Sequence, residues 1–285
     1  MNYFQDQNNA NPLLRQTQSF VQTTFVVRAF YALLTAHCFV SLRDWQLWFA
    51  TPLNLKPVWA TFWLTSTTAP TIWAITTVFA LILCGLCAWL PKTHLRIAAA
   101  ILLFMHFAIE DSRDTIRHGE HGLLWVSVIL AFLPNDRCSE RRRQVRYQRV
   151  FYLAQSMILL FYGMAGGVKV LTAIVQGMRG ERTFLNPDAA ALVISEWLQR
   201  GEGTSLLGSW MIHHPIVAWG GLLASVVVEL ACLIAIVSHR IRPLVAVGLI
   251  GMHVSIGLIM DVWFPENVAL LAILLLAAHK KNSRR

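Results

Sequence analysis

An all-α bundle of about eight membrane-spanning helices, a polytopic integral membrane protein with both chain ends in the cytoplasm, is the fold class this sequence predicts. Three observations predict it. The 285 residues are 56% hydrophobic and only 14% charged, with a mean hydropathy of +0.52, whereas a soluble domain carries about 25% charged residues. Eight apolar segments approach the roughly 20 residues that one crossing needs. The charges between those segments favour alternate sides, as a membrane topology requires.

The elements follow in order. Residues 1–24 (MNYFQDQNNANPLLRQTQSFVQTT) are polar and lack a small-residue cleavage site, so a retained cytoplasmic tail is expected rather than a signal peptide. A single transmembrane domain is then expected over 25–279, with spans at about 25–42, 70–90, 95–110, 120–135, 150–176, 215–238, 241–260 and 264–279. The fourth and eighth are short for a crossing. Two outer loops, 43–69 and 177–214, are rich in tryptophan and are expected to lie at headgroup depth. Within the second, NPDAAALVISEWLQRG has an Asn/Asp start signal and a Gly stop, which predicts an amphipathic helix over about 187–200 resting on the outer surface. A basic cytoplasmic tail, 280–285, closes the chain.

Charge tests the topology independently. With eight spans and the N-terminus inside, 15 of the 24 Lys and Arg residues fall in inner segments, 7 in outer segments, and Arg28 and Lys169 within spans. The acidic residues divide the opposite way, 3 inside and 11 outside, with Glu229 in a span. The net charge of +9 therefore reads as anchoring at an inner membrane surface. The run SERRRQVRYQR is read as such an anchor, so the expected partner is the lipid bilayer and no nucleic acid is expected. The localisation that follows is a cytoplasmic (inner) membrane.

A charge at mid-bilayer costs about 2.5–3.5 kcal/mol on insertion scales, so each ionisable residue in a span needs a reason. Here they are Arg28, His37, His106, Glu110, Lys169, Glu229, His253 and, at a span end, Asp261. Arg28 lies near the inner end of its span, where snorkelling accounts for it. Lys169 sits in FYGMAGGVKVL, about 28 Å along its helix from Val150, towards the outer leaflet. Two readings stand there. Lys169 snorkels to the headgroups, or it faces a cavity beside the small surface of Gly163, Ala165, Gly166 and Gly167, where desolvation would make a neutral amine available as a base. His106 and Glu110, four apart, share a helix face. With His121 and His253 they could converge on Lys169, although a histidine in a span is more commonly a hydrogen-bonded core residue. Glu229, at mid-span, is expected to pair with a cation or to be protonated.

Five cysteines include Cys84 and Cys87 in a CxxC. They lie inside an apolar helix with no charge nearby to make a thiolate, so packing is favoured over redox chemistry. No pair of residues has metal-ligand spacing, and no metal is expected. Gly-rich phosphate loops, GxSxG and HExxH are lacking.

Taken together, these residues resemble the membrane domain of vitamin K-dependent gamma-carboxylase and the related bacterial horizontally-transferred transmembrane-domain family. The resemblance covers about residues 20–280. It rests on Tyr162, Ala165, Gly166, Lys169, Leu171 and Gly177, on His121 in EHGLLWVSVILAFLP, on Glu229 in WGGLLASVVVELACL, on His253 in GLIGMHVSIGLIM and on Arg28 in FVVRAFYALL. Glu120 stands where the family has an asparagine. What the resemblance implies is a reduced quinone (vitamin K or menaquinone type) deprotonated by Lys169, with His121 and His253 as catalytic partners and Tyr162, Gly166, Gly167, His106, Glu110 and Glu229 lining the site. The chain ends at Arg285 without the large extramembrane region that holds the carboxylase's protein substrate, so such chemistry is expected in the bundle alone. A short member also resembles the membrane proteins that mature sporulation-delaying-type peptide toxins, which implies the alternative of an accessory role towards a small secreted peptide.

Overall fold

The computed structural model describes residues 12–43, 45–46, 55–90, 92–113, 118–134, 140–200 and 205–277, without the side chains of 12–23, 118 and 140–143. The expected tails at 1–11 and 280–285, part of the first outer loop (47–54) and the basic cluster at 137–143 lie wholly or in their side chains outside this description. Among the described residues the chain is all helical, with ten α-helices and no strand.

These are α1 (Pro12–Arg43), α2 (Ala69–Trp89), α3 (Thr93–Arg113), α4 (His118–Leu130), α5 (Glu140–Met178), α6 (Ala189–Arg200), α7 (Leu206–His213), α8 (Pro215–Val237), α9 (Arg242–Met260) and α10 (Pro265–Leu271), the last running into a π turn, Ala272–Ala277. Among the described residues six stretches are long and apolar enough to cross a membrane: Thr24–Arg43, Ala69–Trp89, Thr93–Arg113, Gln144–Met178, Pro215–Val237 and Arg242–Met260. The protein is therefore a multi-pass helical membrane protein. The segments expected at 120–135 and 264–279 form only short apolar helices, Gly119–Leu130 and Pro265–Ala277. At 1.5 Å per residue neither reaches the roughly 30 Å of a hydrocarbon core.

Local sequence explains the helix ends. α2, α8, α9 and α10 each carry proline in the first turn, where its missing N–H costs nothing. α5 stops ahead of Gly180, whose φ of +70° suits glycine. α1 begins at Pro12, so part of the expected polar tail is helical.

The chain divides within α5 into two units, 1–154 and 155–285. In the first, α2 packs on α1 and α3, and α3 on α4. Phe30, Tyr31, Leu34, Trp73, Leu103, Phe107 and Ile109 are buried there. The short α4 is completed from α3: the Leu133 carbonyl accepts from Arg96 Nη2 at 2.7 Å and from Thr93 Oγ1 at 2.9 Å. A buried guanidinium and a hydroxyl thus serve a carbonyl just past the end of α4. The segment around Thr61 folds back on this unit, where Thr61 Oγ1 and Ser112 Oγ lie 2.6 Å apart.

The second unit contains the rest of α5 and α6–α10. Arg242 is buried and reaches three acceptors: the Ala235 and Ile236 carbonyls at the end of α8 and Gln155 Oε1 on α5, each at 2.8 Å. Gln155 Nε2 in turn donates to the Leu274 carbonyl in the π turn at 2.6 Å. One cation therefore closes the C-terminus of α8 and ties α5 and α10 to it. α6, expected over about 187–200, buries Ala190 and Ile194 against Ala218 of α8.

Candidate functional site

α5 meets α8 through glycine. A Cβ on Gly166 would lie 2.8 Å from the Glu229 Cβ and 3.2 Å from the Leu230 nitrogen, and one on Gly163 would overlap the Leu233 side chain. Only hydrogen fits at either position, so the helix backbones approach closely. Gly167 is different: a Cβ there would meet no atom within 4 Å. Of the small surface in the sequence, one edge is used by a helix and the other is open.

The close approach brings a cation to a carboxylate. Lys169 lies three residues after Gly166, and its Nζ donates to Glu229 Oε1 at 2.6 Å and Oε2 at 2.8 Å. The two partners differ in environment, since the Lys169 side chain is 43% exposed and that of Glu229 only 4%. A lone carboxylate at that depth would be costly, and the ammonium offsets the cost. Glu229 therefore has the cationic partner its mid-span position led us to expect.

Two helical turns earlier on α5, Tyr162 OH and His253 Nε2 are 2.6 Å apart. The rings meet edge to face at 5.6 Å, and Phe264 also packs edge to face on the imidazole at 5.5 Å. Tyr162 and His253 are both buried. The other imidazole nitrogen, Nδ1, is buried without a hydrogen-bond partner among the described residues. Tyr162, Gly166 and Lys169 follow i, i+4, i+7 along one stripe of α5, which aligns the phenol–imidazole pair and the ion pair about 10 Å apart along the helix axis.

His106, Glu110 and His121 belong to the first unit. His106 is fully buried; its Nδ1 lies 2.9 Å from Thr77 Oγ1 and its Nε2 3.6 Å from Glu110 Oε1. Glu110 Oε1 also accepts the Trp73 indole N–H at 3.1 Å. His121 is partly exposed and faces Asp111 Oδ2 at 3.3 Å. The residues expected to converge on Lys169 are thus distributed over both units. Tyr162, Gly166, Glu229 and His253 share its unit, and Gly166, Glu229 and Lys169 make one contact.

Sequence spacing did not single out Trp73 or Thr77. Tryptophan near a span end ordinarily marks headgroup depth, but Trp73 is fully buried with its N–H donated to Glu110 Oε1, a position that follows from the pairing of α2 with α3. Trp59, Trp63, Trp125, Trp210 and Trp263 do show exposed rings, as a belt requires.

Comparison with protein-family models, with curated proteins and with solved structures found no match to this chain.

Proposed function

We propose that this multi-pass membrane protein is an enzyme of the gamma-carboxylase-like kind, in which Lys169 acts as a base on a lipophilic hydroquinone. The observation that carries this reading is the Lys169–Glu229 pair: a half-open amine held at two points by a buried carboxylate. Proton transfer from Nζ to Glu229 Oε converts the charged pair into an amine and a carboxylic acid, a change that apolar surroundings favour. The amine lone pair then becomes available to accept a proton from a bound hydroxyl.

The pair leaves room for a flat lipophile, because the Lys169 side chain stays 43% exposed. Across α5 from Lys169, Gly167 leaves the helix open and Met164 and Leu171 present exposed apolar side chains to the hydrocarbon from which such a molecule would come. His253 Nδ1 offers a further polar atom. A hydroquinone would supply a weakly acidic hydroxyl and reducing electrons for oxygen. Lys169, Tyr162 and His253 would hold it, and this reading rests on the second unit alone. In this proposal the chain crosses an inner membrane eight times with both ends cytoplasmic. The sign bias of the loops supports that count, with α4 and α10 as short crossings that local thinning of the bilayer would accommodate.

The test is mass spectrometry of the detergent-purified protein, first for bound quinone and then for epoxide or quinone formed from added menaquinol under oxygen. Turnover above a protein-free control is expected. Absence of both bound quinone and turnover would remove the reading.

A second reading, an accessory protein for the maturation of a secreted peptide, is favoured by α6. This helix leaves Leu192, Val193 and Trp197 exposed. Replacing these three by serine should abolish co-purification of such a peptide while the Lys169 chemistry persists.

A further inference from the structure

Three helices of the first unit bring two imidazoles and a carboxylate together: His37 on α1, and His106 and Glu110 one turn apart on α3, with α2 behind them. One donor atom from each residue lies within 4.8 Å of the other two, and all three residues are more than nine-tenths buried. The His37 and His106 rings meet edge to face at 6.1 Å, and Phe107 packs on both.

The hydrogen bonds behind this group orient it. The Thr77 hydroxyl donates to the Trp73 carbonyl at 2.6 Å, which spends its only proton. Thr77 Oγ1 can then only accept from His106 Nδ1, 2.9 Å away. His106 therefore carries its proton on Nδ1, and Nε2 turns towards Glu110 Oε1 at 3.6 Å. That carboxylate oxygen is itself fixed by the Trp73 N–H. A ring-nitrogen lone pair thus confronts a carboxylate oxygen in a buried site, an arrangement that a proton or a metal ion between them relieves. A proton would join those two atoms alone and leave His37 unengaged. A metal ion takes all three donors.

We propose that His37, His106 and Glu110 bind a divalent ion of the first transition row. Two imidazoles with one carboxylate suit zinc, iron or manganese rather than magnesium or calcium, which prefer oxygen alone. Thr77 and Trp73 hold the ligands from behind, as outer partners do in metal sites. Closing the donors onto an ion about 2.1 Å from each requires only side-chain adjustment of about an ångström. Three protein ligands leave at least one position open. This inference is independent of the proposed quinone chemistry.

The test uses the full chain in detergent, purified through a tag without histidine, stripped with a chelator and titrated with cobalt(II) chloride. We expect visible d–d absorption saturating at about one ion per chain. His37→Ala and Glu110→Gln should abolish it, and Thr77→Val should weaken binding about 10- to 100-fold. His213→Ala, in a neighbouring pair of histidines outside the group, should leave it intact. Size-exclusion profiles identify any variant that fails to fold, and Thr77→Val, which alters no ligand, keeps the question open to decision in that case. No saturable cobalt spectrum in the wild type would overturn the proposal, as would a spectrum unchanged in Thr77→Val and Glu110→Gln alike.

Discussion

Lys169 and Glu229 face each other across a helix contact that only glycine allows: Nζ reaches both carboxylate oxygens, at 2.6 and 2.8 Å, beside Gly166. The charges in these two helices are therefore a consequence of packing as much as of sequence. α5 must come close to α8 before the lysine can find its partner.

Gly166→Ala should accordingly separate α5 from α8 and destabilise the protein by about 1–3 kcal/mol, the usual cost of overpacking a tight contact. Gly167→Ala has open space at its Cβ and should be neutral or stabilising by up to about 1 kcal/mol. Thermal unfolding of the two variants in one detergent checks the pair. Equal losses would contradict the described contact.

Breaking the ion pair from either side should cost stability unequally. Glu229 is the buried partner, so Lys169→Met leaves a carboxylate in an apolar site and should cost more than Glu229→Gln, which leaves a half-exposed amine able to reach water or headgroups. The double variant should recover part of the Lys169→Met loss. A double-mutant cycle measured by unfolding reads the coupling, and additivity would deny that the two residues interact.

Arg242→Lys should be destabilising by about 2–4 kcal/mol. An ammonium cannot reach the Ala235 and Ile236 carbonyls and Gln155 Oε1 together, and buried acceptors left unmet are costly. The loss should appear as earlier unfolding. Retained stability would show that the guanidinium network is dispensable.

The proposed topology predicts opposite labelling of two exposed positions. On a background without native cysteines, Leu206→Cys should react with a membrane-impermeant maleimide in intact cells. His239→Cys should react only after permeabilisation. Labelling of both from the same side would contradict the inside-out assignment of α8.

Hydropathy made the six long helices legible and placed the starts of α2, α8 and α9 within a residue or two; each of the three has a proline in its first turn. The amphipathic α6 was legible from its caps. Hydropathy did not reveal α7, because LLGSWMIH is too short for any period; its start depends on Ser205, whose Oγ accepts the Gly208 N–H and donates to the distant Leu258 carbonyl. Cost of burial singled out every ionisable member of the site, including Glu229 and Lys169. Their pairing was not legible, since spacing along one helix says nothing about which neighbour presses on it. The same limit hid the group of His37, His106 and Glu110, because His37 comes from a different helix than the other two.

The measurement that bears most directly on the Lys169 chemistry is turnover of menaquinol by three purified proteins: wild type, Lys169→Ala and Lys169→Arg. Folding is matched by size-exclusion profile. The account predicts product from the wild type and loss of about 100-fold or more in both variants, because guanidinium keeps the charge but cannot serve as a neutral base. Undiminished product from Lys169→Arg would contradict it.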